Sequence, residues 1–139
     1  MAAVVLAGCG TAARALPYDD LSGRVAPAEF PRQTRQLFHS RRELVDYLEH
    51  AMPGRRLHVP PIDFDRSEAI LIAAGPRSST GYVLRILRVQ EQGRRVVVTV
   101  RERTPNLGDP VRARVTYPFR LITVRRGHTS LRVKWLGRP

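Results

Sequence analysis

The sequence has few of the residues that support covalent, metal or redox chemistry. Its 139 residues include a single cysteine, Cys9, which excludes an intramolecular disulfide and a cysteine-ligated zinc site. The four histidines, at positions 39, 50, 58 and 128, show no metal-ligand spacing, and we expect each on the surface or in a turn. No Walker loop and no Gly-x-Ser-x-Gly motif occurs. The sequence therefore predicts a non-enzyme without metal or cofactor.

Aromatic residues and long apolar runs are also scarce. Aromatics make up only 6% of the chain, which argues against a base-stacking surface and makes nucleic acid an unfavoured partner. No run of 18 apolar residues occurs, so no segment has the length of a transmembrane helix. Hydrophobic residues still account for 42%, which suffices for one folded domain at this length.

Acidic residues are scarce in the second half of the chain. Residues 1–69 hold nine arginines and nine acidic residues, whereas residues 70–139 hold fourteen arginines and Lys134 against three acidic residues. The whole excess of +12 therefore lies in the second half. A basic strand face favours anionic partners such as lipid headgroups, envelope polymers or acidic protein surfaces. The simpler alternative is a solvated face that maintains solubility.

The amino-terminal residues resemble the end of a bacterial lipoprotein signal peptide. Residues 1–9 read MAAVVLAGC, and Leu6-Ala7-Gly8-Cys9 has the form of a lipobox. We expect Cys9 to be lipidated and the protein to be anchored to a membrane in the cell envelope, on the periplasmic or extracytoplasmic side. Residues 10–31 contain several prolines and little periodicity, and they are predicted to form a flexible tether. The folded domain is then expected to span residues 32–139.

Apolar periodicity predicts a mainly β fold (α+β) in which an antiparallel, sandwich-like sheet domain carries one amphipathic helix near its start. The helix is expected over residues 41–52, because Ser40 and Glu43 have capping-box spacing and Leu44 and Leu48 share one face. Strands are expected at 36–38, 69–74, 82–89, 95–103, 111–117, 120–126 and 131–135. Gln92-Gly93 and Arg126-Gly127 are predicted to close two hairpins.

Two turn-rich loops and an aromatic joint separate the later strands. The first loop, residues 75–82, ends in Ser79, Thr80, Gly81 and Tyr82. The second loop, residues 104–109, carries Asn106, Gly108 and Asp109, and the joint contains Pro118 and Phe119. This order resembles the C-terminal domain of the PrcB protease-complex-subunit family, where a Thr-Gly-Gly-Tyr loop precedes the sheet and a Pro-aromatic step lies near its end.

The resemblance implies a protein that binds and stabilises another exported protein, by family analogy a protease or its complex. It points to the loop of Ser79, Thr80, Gly81 and Tyr82 as the contact surface, with the second loop and the joint nearby. One alternative is a cysteine peptidase inhibitor, because Ser-Thr-Gly-Tyr is also similar to the end of the chagasin-like inhibitory loop. Another is a polyanion-binding surface protein, whose basic face would include Arg112, Arg114, Arg132 and Lys134.

Overall fold

The polypeptide forms two four-stranded sheets and one helix. The computed structural model describes residues 12–25, 28–55 and 58–137. The strands, in chain order, are β1 (Arg14–Ala15), β2 (Tyr18–Asp20), β3 (Thr34–Phe38), β4 (Ser67–Ala73), β5 (Val83–Gln92), β6 (Arg95–Arg103), β7 (Phe119–Arg125) and β8 (Ser130–Leu136), and helix α1 is Arg41–Ala51. This arrangement confirms the mainly β fold class.

The two sheets and the helix stack as three layers. The outer sheet has the strand order β1-β5-β6-β8, and the central sheet has the order β2-β7-β4-β3. Alternate residues of β4 point to opposite sides, so Ile70 and Ile72 pack against the outer sheet while Ala69 and Leu71 pack towards α1. The central sheet is therefore buried on both faces, which explains the unbroken apolar run in β4.

Helix α1 forms where its capping and apolar spacing predict it. The Ser40 hydroxyl accepts a hydrogen bond from the Glu43 N–H at 3.1 Å, and the Glu43 carboxylate accepts from the His39 N–H at 2.9 Å. Leu44 and Leu48 are buried against the central sheet. Both leucines lie on one face of the helix, and this face fixes α1 as the third layer.

The prediction of a flexible tether over residues 10–31 is wrong for those of its residues that the structure describes. Residues 14–15 pair with β5 in the outer sheet, and residues 18–20 pair with β7 in the central sheet. Leu16, between these two strands, is buried between the sheets, and Phe30 is only 1% exposed beneath α1. This segment therefore supplies an edge strand to each sheet and part of the core. Cys9 and the rest of residues 1–11 lie outside the described residues.

The second predicted hairpin is also wrong, whereas the first is confirmed. Gln92 and Gly93 join β5 to β6 as an antiparallel pair, and Gly93 has the positive φ that such a turn requires. Arg126 and Gly127 instead carry the chain from the central sheet to the outer sheet, where β8 runs parallel to β6. The connection crosses between layers because Leu131, Val133 and Trp135 pack into the inter-sheet core.

The strand predicted at 111–117 does not form. In the structure this part of the chain is irregular, with a single isolated bridge between Thr116 and Arg77, and Val111 and Val115 are exposed. The alternation of valine and arginine reflects extended backbone but not a buried face. Arg112 and Arg114 are thus loop residues, while Arg132 and Lys134 lie on β8.

Candidate functional site

The two loops predicted from sequence lie side by side in the structure. The first loop belongs to the β4–β5 connection, residues 74–82, and the second loop belongs to the β6–β7 connection, residues 104–118. Arg77 and Thr116 exchange backbone hydrogen bonds of 2.8 and 2.9 Å, and the Thr80 N–H donates to the Arg112 carbonyl at 3.0 Å. The Ala74 N–H donates to the Pro118 carbonyl at 2.9 Å. Residues more than 30 positions apart thus form one loop cluster.

Hydroxyl side chains strengthen this pairing. The Thr80 hydroxyl accepts a 2.8 Å hydrogen bond from the Arg112 N–H, and the Thr116 hydroxyl donates to the Ser79 carbonyl at 2.8 Å. The Ser79 hydroxyl donates to the Thr80 carbonyl at 3.0 Å. These groups therefore satisfy backbone atoms and hold the loops in register. Contact of Ser79, Thr80, Gly81 and Tyr82 with a partner stays a prediction.

Gly81 lies at a close approach of the two loops. Its φ is +99°, a conformation that residues with a Cβ rarely adopt. A Cβ placed there would lie 2.8 Å from Val111 Cγ1 and 3.1 Å from Pro105 Cβ. The sequence-based interpretation of Gly81 as a turn glycine is confirmed. The close approach of Val111 and Pro105 is a second reason why this position needs glycine, which has no Cβ.

We predict that Gly81→Ala lowers the free energy of unfolding by about 2–3 kcal/mol, because backbone strain and crowding against Val111 add together. Urea denaturation measures the loss. Gly108→Ala is the matched control: Gly108 also has a positive φ, of 92°, but no atom lies within 4 Å of the position that a Cβ would take. It should cost only about 1–2 kcal/mol. Equal losses in the two variants would remove crowding from the explanation.

The second loop presents its own compact turn. The Asn106 N–H donates to the Asp109 carboxylate at 2.7 Å, and the Asp109 N–H donates back to the Asn106 carbonyl at 3.1 Å. Gly108 supplies the positive φ between them. Asn106, Gly108 and Asp109 therefore shape the turn, while Leu107 at its tip is fully exposed. Leu107 is a surface residue that the sequence pattern does not single out.

A buried ion pair fixes the first loop to β6. The Arg77 guanidinium donates to both carboxylate oxygens of Glu102, through Nε to Oε1 and through Nη2 to Oε2 at 2.9 Å. The Glu102 side chain is 1% exposed and that of Arg77 is 17% exposed. The hydrogen bond to Glu102 raises the pKa of Arg77 above its ordinary value, although partial burial acts in the opposite direction. The pair gives the loop cluster a rigid base.

The aromatic joint belongs to this base and to the core. Phe119 begins β7 and packs edge-to-face against Phe30, with ring centroids 5.2 Å apart. Pro118 is half-buried and accepts the hydrogen bond from Ala74. Both residues therefore position the second loop. The neighbouring exposed side chains include apolar and basic residues, Leu107, Val111, Arg112, Arg114 and Val115, as well as the polar Asn106 and Asp109 of the turn.

A second polar cluster joins the two sheets at Glu68, Glu91 and His128. His128 is 4% exposed and lies in the connection between β7 and β8, so of the two expected positions, surface or turn, the surface position is excluded for this residue. Its Nδ1 lies 3.2 Å from a Glu68 oxygen and its Nε2 lies 2.9 Å from a Glu91 oxygen. The backbone N–H groups of Gly127 and His128 also donate to Glu68. No spacing in the sequence indicates this cluster, because its members come from β4, β5 and the β7–β8 connection.

We predict that this cluster makes stability sensitive to acid. The hydrogen bond to His128, with a further contribution from Arg125, lowers the pKa of Glu91 below its ordinary value of 4.5. A carboxyl group whose pKa is lower in the folded protein than in the unfolded chain stabilises the native state at pH values above its ordinary pKa. This contribution disappears as the pH falls through the pKa of the folded protein. Urea midpoints of the wild type and Glu91→Gln should differ at neutral pH and converge in acid. A constant difference across that range would contradict the assignment.

Neither cluster has the arrangement of a metal site, and no helix crosses a membrane within the described ranges. Among residues 12–25, 28–55 and 58–137, no group of three or more His, Cys, Asp and Glu side chains is placed to hold a metal ion. No helix in the described part of the chain is long and apolar enough to cross a membrane.

Comparison with protein families supports the resemblance read from the sequence. Residues 69–125 match the family model of the PrcB C-terminal domain. The matched segment contains β4, the first loop, β5, β6, the second loop and β7. No curated protein and no solved structure matches the chain. The family match thus coincides with the part of the fold that builds the loop cluster.

Proposed function

We propose that this chain, whose residues 69–125 match the PrcB C-terminal family, is a binding module of the cell envelope. Its loop cluster contacts and stabilises another exported protein. The family relationship favours a protease or a protease complex as that partner. We propose a binding role and not a catalytic one, because the hydroxyl groups of the first loop are engaged with backbone atoms.

The observation that carries the proposal is the exposed apolar surface on a rigid frame. Leu107 is fully exposed and Val115 is 55% exposed, and Arg112 and Arg114 in the same connection are exposed as well. Apolar side chains that project from pre-organised loops bind a partner with little ordering cost, and arginine is enriched at protein interfaces. Loops held by a β scaffold are frequent sites of recognition. The partner then contacts the surface beside Ser79–Tyr82 and the tip of the second loop.

The proposed location follows from the amino-terminal sequence. Lipidation of Cys9 would attach the chain to a membrane by two acyl chains, which anchor stably where one chain gives only marginal binding. The described fold is compatible with this position, because the chain enters the outer sheet at Arg14, five residues after Cys9.

The proposal is tested by capture of the partner with variants of the loop tip. Leu107→Arg and Val115→Arg replace exposed apolar groups with charge and leave the internal hydrogen bonds in place, so native melting is expected. Both should reduce recovery of the partner from solubilised envelopes by at least about tenfold. The matched control is Tyr18→Arg, which changes an exposed residue paired with Val124, at the end of β7 away from the loops.

The captured protein must also depend on the chain for its stability. In cells that carry the loop variants, the partner should disappear faster than in cells that carry the wild type or Tyr18→Arg. An inhibitor of the chagasin-like type would instead abolish the activity of a cysteine peptidase in a purified mixture. Full recovery of the partner with both loop variants would remove the loop cluster from the interface.

A further inference from the structure

The solvent-facing side of the outer sheet is an array of basic residues. Strand register places Arg85 beside Arg101, and it places Arg88 beside Thr99, which neighbours Lys134 on the other side. Val97 lies between Gln90 and Arg132 on the same face. All the basic residues of this face are exposed, and they form the basic array: Arg85, Arg88, Arg95, Arg101, Arg103, Arg132 and Lys134.

The acidic residues of these strands point the other way. Glu102 pairs in register with the buried Leu84 and binds Arg77, while Glu91 pairs with the buried Val96 and binds His128. Within the described part of the chain, none of the basic array is in an ion pair. The alternation of side chains along β5 and β6 thus separates the charges, with carboxylates inside and guanidinium groups outside. The excess positive charge of the second half of the chain is concentrated here as well as in the loops.

Like charges at neighbouring positions repel one another in the free protein. Arg85 and Arg101 are directly opposite on adjacent strands, a placement that destabilises a sheet. An anionic partner relieves this repulsion. The array extends over three strands in two dimensions, and the exposed Leu136 lies beside Arg101 on the same face. A two-dimensional array with an apolar contact matches an extended anionic plane better than a single linear polymer.

The short chain between Cys9 and β1 limits how far the outer sheet can lie from a lipid attached at Cys9. Strand β1 is an edge strand of the outer sheet, and Arg14 is five residues after Cys9. Five residues span at most about 18 Å even when fully extended. A lipid at Cys9 would therefore hold the outer sheet close to the bilayer surface, a step that rests on the proposed anchor. Helix α1 packs on the other side of the central sheet, so the central sheet separates it from the outer sheet.

We propose that the basic array docks on anionic lipid headgroups and orients the protein on the membrane. Arginine and lysine near an anionic bilayer each strengthen binding by about fivefold at low salt, and the attraction falls off within a Debye length. Docking through the outer sheet would place the loop cluster at the side of the anchored protein, where a membrane-associated partner can reach it.

Binding to vesicles tests this proposal without the lipid anchor. The full chain carrying Cys9→Ser is mixed with vesicles of phosphatidylcholine alone or with an equal part of phosphatidylglycerol, and bound protein is measured by flotation. The face variant adds Arg88→Glu and Lys134→Glu, and a gentler version uses Arg88→Gln and Lys134→Gln. The matched control adds Arg41→Glu and Arg42→Glu, two exposed positions at the start of α1, with the same change in net charge. Each protein is first checked for native melting.

We expect the Cys9→Ser chain to bind only the phosphatidylglycerol vesicles and to dissociate when salt is raised from about 0.05 M to about 0.5 M. The face variant should bind at least about 25-fold more weakly, with the glutamine version between it and the parent. The helix control should bind within about threefold of the parent. Equal weakening by the face and helix variants, absence of vesicle binding by the parent, or binding only to a soluble anionic polymer would each overturn the proposal. Because no protein partner is present, such a failure would leave the proposed function of the loop cluster unaffected.

Discussion

A chain that begins at Arg32 is expected to lose cooperative folding. The deletion removes both short amino-terminal strands and the buried side chains of Leu16, Leu21 and Phe30. Loss of one buried phenylalanine side chain alone costs about 3–5 kcal/mol, and a domain of this size is stable by only about 5–15 kcal/mol. Circular dichroism during heating should therefore show no sharp transition.

The matched control for this experiment is a chain that begins at Ala12, because it retains every described contact of β1 and β2. Its urea midpoint should equal that of the full non-lipidated chain. Phe30→Ala in the longer chain provides an intermediate case, with an expected loss of about 3–5 kcal/mol. A cooperative transition of the shorter chain within a few degrees of the longer one would restore the tether interpretation.

Replacement of Arg77 by methionine is expected to cost about 3–5 kcal/mol. The substitution keeps much of the side-chain volume but leaves the buried Glu102 carboxylate without its cation. Removal of one member of a buried pair is costly for this reason, whereas replacement of both members by apolar groups is often neutral. Arg77→Met combined with Glu102→Leu should therefore recover most of the lost stability, as measured by urea denaturation.

An exposed pair provides the comparison for Arg77. Arg55 and Glu29 form a 2.8 Å ion pair, but their side chains are nearly half exposed. Water and salt screen such a pair, so Arg55→Ala should cost no more than about 1 kcal/mol. If Arg77→Met lowered the free energy of unfolding by no more than Arg55→Ala does, the Arg77–Glu102 pair would not be the base of the loop cluster.

The parts of the fold that could be predicted have strong local signals. The helix combines a capping serine with apolar residues on one face, and the β5–β6 hairpin combines alternation with a glycine turn. The run Val96-Val97-Val98 is apolar on both faces, and β6 indeed lies inside the outer sheet with all three valines buried. In these elements the residues that decide the structure are neighbours in the sequence.

The predictions that are wrong concern segments whose structure depends on distant partners. Strands β1 and β2 have only two and three residues on either side of Pro17, which is too short for a period-two pattern. The segment at 111–117 has such a pattern, but its hydrogen bonds go to the first loop and not to a sheet. Alternation therefore identifies extended backbone but does not identify the surface that covers it.

The candidate site is only partly accessible from sequence for the same reason. The two loops and the aromatic joint are recognisable as markers, and the structure brings them together. The roles within the cluster cannot be read locally: Thr80 binds the backbone of Arg112, and Gly81 accommodates Val111. Glu68 and His128 escape the sequence pattern because they meet only when the two sheets pack.

The most direct test of the account is site-specific photo-crosslinking in the native envelope. A photoreactive residue at Val115 should form a covalent adduct with the partner protein, while the same residue at Tyr18 should not. The adduct at position 115 should disappear when Leu107→Arg is added, because the altered loop tip weakens docking. An adduct with the same partner at position 18 but none at 115 would contradict the assignment of the loop cluster as the binding surface.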